Sequence, residues 1–462
     1  MTLRRREVLK VLSSSAVATG LTAAHAEAKH GHIERDVCIV GGGAAGTYAA
    51  LRLRDMGKSV VIVERTGRLG GHCETYHDPA SGAPIDIGVV VFPDNPLVRG
   101  YFGRFGVTLV TASFAGVTNQ FVDFRSGAAV AAFQPTQQDV GIALFTYLQL
   151  LQTRYPFIEQ NGFQLPASGP VLEELLMPFG QWAQAFGLNA LIPTFYQFEQ
   201  GYGPLLSATT LYVLKNMSLA VVGALLQGSF LTAPFGAAAL YDAATAELAG
   251  NVVFNAQIEQ VHREKGVRVK VETPHGSSTI SCKKLLFTAP PVLPGFAGFD
   301  LDLREFVTFA RFRDHHYWTA VVGIAGMPPA VQLVNAAPET PFNLAPLPGM
   351  YMIGPSPAPG KFNIKYGSDA PLSDARVRES IKRDVERVKA VGPLDFQSFG
   401  IFKNHSPYSV VASPQQIRAG FYRDLQALQG HNHTYYAGAA FQTHSSAAIW
   451  AFLEELLPSL AS

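Results

Sequence analysis

Cysteine is scarce. Cys38, Cys73 and Cys282 are the only three in 462 residues, far apart, with no C-x-x-C pair and no histidine at ligand spacing. Neither a disulfide framework nor a zinc centre can be assembled from them, so they are expected as isolated structural or surface thiols. Surplus charge is also missing, since 36 lysines and arginines meet 35 aspartates and glutamates for a net charge of +1. Nucleic acids and anionic membranes select basic proteins, so nucleic-acid partners are excluded from the expected function. Long apolar runs are absent too. Within the apolar region from Val171 to Gly236 the longest uninterrupted piece, Leu219 to Leu226, lies between Lys215 and Gln227 and is far short of the roughly 20 residues a membrane span needs. Buried helices or a cavity wall are expected there, and no transmembrane span in the mature chain. No internal repeat or low-complexity linker occurs. What remains is an ordinary globular composition, 48% hydrophobic, with enough length for two or three domains.

Residues 1–26 read as a leader rather than as part of the fold. Arg4-Arg5-Arg6-Glu7-Val8-Leu9-Lys10 is basic, a mildly apolar stretch from Val11 to Ala24 follows, and Ala24-His25-Ala26 is an A-x-A cleavage site. Arg5-Arg6-x-Val8-Leu9-Lys10 matches a twin-arginine signal, and Ser13 to Ser15 dilute its hydrophobicity in the way that route favours. The expected localisation is therefore export to the periplasm. That route carries folded proteins.

After the leader comes Asp36-Val37-Cys38-Ile39-Val40, a β-branched run of the kind buried in a parallel sheet, and it ends in glycine. A helix is expected over Ala44 to Gly57 and a second buried strand over Ser59 to Glu64. Further along, helices are expected over 137–153, 171–186, 207–216, 218–230, 241–248 and 373–391. Strands are expected over 252–261, 267–271, 284–289, 317–324, 351–353 and 434–438, and a last helix over 446–457. Strand and helix alternate, which is the pattern of an α/β protein.

Between the first strand and helix lies Gly41-x-Gly43-x-x-Gly46. In that setting the first glycine permits the turn, the second lets backbone approach a pyrophosphate at the helix N-terminus, and the third allows close helix–strand packing. Ala44 and Ala45 complete the loop, and Glu64 follows about 20 residues on, where an acid meets ribose hydroxyls. The chain thus carries a Rossmann-type dinucleotide site. No second such motif is present, because Gly201-Tyr202-Gly203 follows no β-branched strand.

The residues after Glu64 separate FAD from NAD. Glu64-Arg65-Thr66-Gly67-Arg68-Leu69-Gly70-Gly71-His72-Cys73-Glu74-Thr75 follows the spacing E-x-x-x-R-x-G-G-[R/H]-x-x-T and resembles the second fingerprint of the flavin amine oxidase superfamily. The resemblance implies FAD as cofactor, held by Arg65, Arg68, Gly70, Gly71 and His72. It also implies that Asp86, Gly88 and Val89, on a D-x-G strand, approach the flavin. Ile258 corresponds to a strand whose backbone meets the adenine, and Gly438 and Ala439 to the family's A-G-E segment, with Ala439 in place of the usual acid. Within the superfamily, the segments over 33–105 and 435–450 look most like a subgroup with polyunsaturated fatty acid double-bond isomerase and β-cyclopiazonate dehydrogenase. Noncovalent FAD is the default, with covalent attachment through His72 or Cys73 the alternative.

Family members place a lysine near the flavin and aromatic rings before its face, which makes Lys361, Lys365 and Lys403 candidates, Lys365 foremost, together with Tyr408. His315 and His316 are adjacent on one expected strand, so they face opposite ways, and no metal is expected. The implied architecture is amine oxidase-like. A Rossmann-type FAD-binding domain over 33–110, 237–300 and 428–460 is capped by a discontinuous, largely helical plus β-sheet substrate domain over 111–236 and 301–427. The cap is apolar, so an apolar or amphipathic small molecule is the expected substrate, losing hydride from carbon to the flavin. Oxygen is the candidate acceptor, unless the hydride returns to the substrate and shifts a double bond. The rivals are an amine or amino-acid oxidase releasing peroxide and a non-catalytic, flavin-stabilised carrier of lipid or pigment.

Overall fold

The computed structural model describes residues 31–113 and 115–462; the leader at 1–26 lies outside them. The first strand, Gly31–Val40, pairs in parallel with Val60–Val63 on one side and with Gly276–Phe287 on the other. Val37, Cys38, Ile39 and Val40 are all buried, as a parallel strand covered on both faces requires. The helix Ala44–Asp55 makes the crossover, burying Ala45, Tyr48, Ala49 and Leu53 while Met56 stays exposed. The strand Gly276–Phe287 is shared along one edge. Its first half pairs with Val267–Thr273 in an antiparallel meander that continues to Gln257–His262, and its end pairs in parallel with Thr434–Tyr436.

A second seven-stranded sheet runs in the order Asp395–Asn404, His316–Ala325, Lys361–Ser368, Gly349–Pro355, Val331–Asn335, Thr118–Asp123 and Ala128–Ala129. Strand alternation gives it two different faces. Trp318, Ala320 and Val322 point to one side, where Val377, Ile381 and Val385 of the helix Asp374–Arg387 seal a core. Thr319 and Val321 point to the other, where Val321 packs with Ile85 and Ile87 from the first part of the chain. The second sheet therefore presents one face to the segment that follows the glycine doublet.

Two expected elements are corrected and one is added. The single strand expected over 252–261 is two, Val252–Val253 and Gln257–His262, at opposite ends of the strand order of the first sheet. Between them Asn255, at φ 51°, turns the chain. The single helix expected over 171–186 is Pro170–Leu176 and Phe179–Ala185. Pro178 causes the break, because a residue before proline is driven out of the helical region, and Met177 is extended at ψ 153°. A helix over Ile192–Phe198 was not expected. Among the described residues no single helix is long and apolar enough to cross a membrane; the pair Thr210–Asn216 and Leu219–Gln227 passes on length and composition only together, bent by 51°.

Candidate active site

The glycine loop is built for close approach. A Cβ on Gly46 would stand 1.9 Å from the Gly41 carbonyl oxygen, so only glycine allows the helix to start there. The helix N-terminus has no side-chain cap and no acid in its first turn. Its leading N–H groups, those of Ala44, Ala45 and Gly46, have no intrahelical acceptors, and such an end binds anions. Beside it Glu64 is buried, its Oε2 accepting from the Gly42 N–H at 2.7 Å and its Oε1 from the Thr66 N–H at 2.8 Å and hydroxyl at 2.7 Å. A carboxylate has about four acceptor positions, so Glu64 is fixed with capacity left for a ribose hydroxyl. An uncapped, glycine-cleared helix start next to a fixed buried acid fits an ADP moiety.

The doublet Gly70-Gly71 lies on this loop. Gly70 N–H donates to the Gly42 carbonyl at 2.8 Å, and a Cβ on Gly71 would reach Gly43 Cα at 3.0 Å. Arg68, expected on the phosphates, directs its guanidinium to the carbonyls of Leu69, Gly71 and Cys73 and to the Glu74 carboxylate at 2.6 Å. It thereby shapes the doublet's own loop, while Arg65 is exposed. Asp86 accepts from Thr75 Oγ1 at 2.5 Å and from the Ala237 N–H at 3.0 Å, joining its strand to the turn before helix Ala239–Glu247. Gly88 passes so near His72 that a Cβ would stand 1.6 Å from its carbonyl oxygen, and Val89 is half-buried beyond it. Ile258 is half-buried on the outer meander strand. The backbone just before it, at Ala256, donates to the Glu64 carbonyl at 3.0 Å. Gly438 meets the Thr288 carbonyl beside the glycine loop, where Thr288 Oγ1 donates to Val40 and Gly41, and half-buried Ala439 follows.

His72 carries the site across to the second sheet. Its ring lies 4.7 Å from that of His405 and 5.5 Å from that of Tyr408. Tyr408 in turn lies 4.7 Å from Tyr317, 4.5 Å from His444 and 5.7 Å from Tyr202. Tyr202 reaches this wall on a loop that needs Gly201, where a Cβ would lie 2.7 Å from the Tyr408 ring. Burial holds all three imidazoles neutral: His72 and His444 are pulled down to about 3 and His405 to about 4. The result is a wall of six uncharged rings contributed by both halves of the chain.

The lysine candidates part company here. Lys403 pairs with Glu74 at 2.8 Å. Lys365 stands directly across from Thr319, whose hydroxyl shares a 2.9 Å hydrogen bond with His405 Nε2. Burial lowers the Lys365 pKa, and it lies beside the ring wall with no ion pair among the described residues. Lys361 lies farther along the strand, across from Gly323. His315 and His316 pair with different acids, Asp369 and Asp314.

The sequence pattern alone does not single out His405, His444, Thr319 or Tyr202, although His444 lies within the segment 435–450 and His405 three residues before Tyr408. Nor does it single out Glu199, which is buried with its pKa pushed up to about 8 by burial and accepts from Asn216 Nδ2 at 2.7 Å. The signal available was an acid closing an otherwise uncharged run from Leu188 to Phe198.

A family model described as an NAD(P)-binding Rossmann-like domain matches residues 39–105. Among solved structures, a CLA-producing fatty acid isomerase from P. acnes shares the fold at a TM-score of 0.74 and 20% identity, over 92% of this chain and 98% of that one. A putrescine oxidase shares it at 0.64 and 16% identity, over 93% and 99%. The chain is 35% identical over 449 residues to an FAD-dependent oxidoreductase of Colletotrichum higginsianum, with 93% of each covered. It is 32% identical over 434 residues to the β-cyclopiazonate dehydrogenase of Aspergillus oryzae, covering 93% of this chain and 94% of the relative. Likeness of that extent over nearly the whole length of both chains places this protein in the family of FAD-dependent oxidoreductases.

Proposed function

We propose that this chain binds FAD and removes hydride from a carbon of an apolar or amphipathic small molecule, as an oxidoreductase or as a double-bond isomerase. One observation carries the reading: the ring of His72, the residue after the glycine doublet, is packed against His405 and Tyr408 in a wall without charge. When bound, FAD supplies a two-electron acceptor for hydride. The protein holds the ADP end at the uncapped helix start and Glu64, excludes water with the six-ring wall, and places Lys365 next to Thr319 and His405 as a hydrogen-bond partner. Neutral imidazoles and phenols suit an apolar substrate, because a charged ligand against them would need a buried partner. The names of the relatives support the same reading, covering a dehydrogenase and, on the same fold, a fatty acid isomerase. Oxygen is the proposed acceptor where the hydride does not return.

Rapid anaerobic mixing is the test. The protein should be yellow, release FAD on denaturation, and be bleached or show product isomerisation with apolar unsaturated or heteroaromatic molecules but not with NADH or NADPH. Bleaching by a nicotinamide alone would refute the proposal, and bleaching by amines alone, with peroxide released once air is readmitted, would turn it into an amine oxidase. Flavin that no candidate bleaches, in protein that isomerises none of them, would mark a carrier.

The leader motif supports export by the twin-arginine route to the periplasm. Changing Arg5 and Arg6 to lysine keeps the charge and should leave the precursor uncleaved inside the cell; continued export with cleavage after Ala26 would refute it.

A further inference from the structure

In a chain that is 15% charged, Asp139 is the only charged residue from Ser126 to Thr153, and there is none from Leu175 to Phe198. The fold brings these two segments to one surface. Helix Gln137–Thr153 turns Ala143, Tyr147 and Leu151 inward, and the short helical turn Asn189–Leu191 packs beside it. Outward the helix presents Ile142 and Phe145, 60% and 70% exposed, among the exposed amides of Gln137, Gln138 and Gln149. Gln181, Gln184 and Ala185 are exposed on the neighbouring helix Phe179–Ala185. Large apolar side chains that stand together on a surface mark a contact site, and the centres of protein interfaces are poor in charge and rich in aromatic rings.

The face carries both a recess and a projection. A groove of about 420 Å³ is bounded by Phe133, Pro135, Asp139, Ile142, Asn189 and Ala190, a volume within the range that holds a ligand or an inserted side chain. Asp139, Ile142 and Phe145 are three residues apart and share one stripe of the helix. The first two line the groove, and Phe145 stands beyond its lining. The groove's one carboxylate, Asp139, accepts from the Thr136 hydroxyl at 2.6 Å. Asn189 Oδ1 is buried and has no hydrogen-bond partner among the described residues, and a buried acceptor left unpaired is costly. The matching occupant is uncharged, brings an apolar side chain and carries an N–H donor. A lipid chain has no such donor, and a charged partner would need complementary charges that this face lacks. The face itself meets all three requirements, through Phe145 and Ile142 and the glutamine amides beside them.

We propose that this face is where two copies of the chain meet about a two-fold axis, Phe145 of each copy entering the groove of the other. Such a contact sets the same patch on both sides, so a charged patch would meet its own sign. An uncharged one with recess and projection side by side fits its own copy. Glutamine amides both donate and accept, and so can pair with each other across the axis.

Sedimentation velocity of the FAD-loaded protein over micromolar concentrations is the test, and the wild type should run as a dimer. Phe145→Glu, at an exposed position, should keep its fold and its flavin but raise the dimer dissociation constant at least about tenfold, because each new carboxylate would enter a groove that already holds Asp139. Leu303→Glu makes the same kind of change at an apolar residue 77% exposed on another helix, and should leave the dimer intact. A cross-link gives a second measurement. The three native cysteines are buried, so co-expressed Phe145→Cys and Ala190→Cys copies should join through an intermolecular disulfide on mild oxidation. A wild type that stays monomeric throughout would overturn the proposal, and binding of that monomer to phosphatidylcholine vesicles would assign the face to lipid instead. A dimer that survives Phe145→Glu, that is lost equally in Leu303→Glu, or whose co-expressed copies do not cross-link would overturn it as well.

Discussion

At the scale of single residues, burial sets protonation, and protonation sets what each group can do. Glu199 titrates at about 8 in the folded protein against an ordinary 4.5. Between those values the folded state holds a proton that the unfolded chain has released. The stability tied to neutral Glu199 is therefore complete below pH 4.5 and is lost as pH rises toward 8, at a slope of up to about 1.4 kcal/mol per pH unit. The imidazoles act in the opposite sense. His405 at about 4, and His72 and His444 at about 3, lie below the usual 6.5, so the unfolded chain protonates first and stability is lost as pH falls below 6.5. Urea titrations across pH should show a maximum between these limbs. Glu199→Gln should flatten the alkaline limb and leave the acid limb in place; an unchanged alkaline limb would place the charge elsewhere. Glu64 gives a second prediction at this scale. Glu64→Gln removes charge-assisted bonds worth about 1.5–3 kcal/mol each, so FAD affinity measured by equilibrium dialysis should drop at least tenfold with little change in the fold.

At the scale of elements, contact distances separate glycines that matter from those that do not. Gly46→Ala places a methyl 1.9 Å from the Gly41 carbonyl and must push the first helix off the first strand. A loss of about 1–3 kcal/mol in stability together with loss of bound flavin is expected. Gly100→Ala, in helix Pro96–Arg104 with nothing within 4 Å, should instead stabilise by about 0.4–1 kcal/mol and leave flavin content unchanged. Equal effects from the two would show that helix propensity, and not the helix–strand approach, governs the loop. Helix boundaries obey the same local chemistry. The break at Pro178 was readable from the residue before a proline, yet the apolar run on both sides of it reads as one helix when only periodicity is followed.

At the scale of the whole molecule, one buried ionic cluster ties distant segments together. Arg263 is 2% exposed and bonds Asp300 at 2.7 Å, Glu305 at 2.6 and 2.8 Å, and Thr434 at 3.1 Å; Tyr436 donates to Glu305 at 2.8 Å. It links the end of the meander, the helix Leu303–Phe309 and the strand Thr434–Tyr436 that precedes Gly438. Arg263→Met would strand the fully buried Glu305 charge, at a cost of about 3–5 kcal/mol. Arg263→Met with Glu305→Leu should recover most of it, as read by thermal unfolding. A single variant as stable as wild type would show that the cluster is not holding these segments.

Much of this protein was already decided locally. The strand, glycine loop, helix and acid over 36–64 depend on β-branching, periodicity and backbone freedom, all properties of neighbouring residues, so the dinucleotide site and the family resemblance at 64–75 could be read directly from the chain. The same holds for the strand into Gly438. What only the tertiary structure decided is which distant side chains meet. Arg68 stands by position as a phosphate ligand, and the structure adds that its Nη1 and Nη2 donate to the carbonyls and carboxylate of the loop it closes. Lys365 and Lys403 are equivalent in sequence, and the register of one strand against Thr319 and the reach of Glu74 set them apart. His72 lies hundreds of residues from His405 and His444, and the three become one uncharged wall only when the two sheets face each other, because their neutrality is a consequence of burial, which no local pattern encodes.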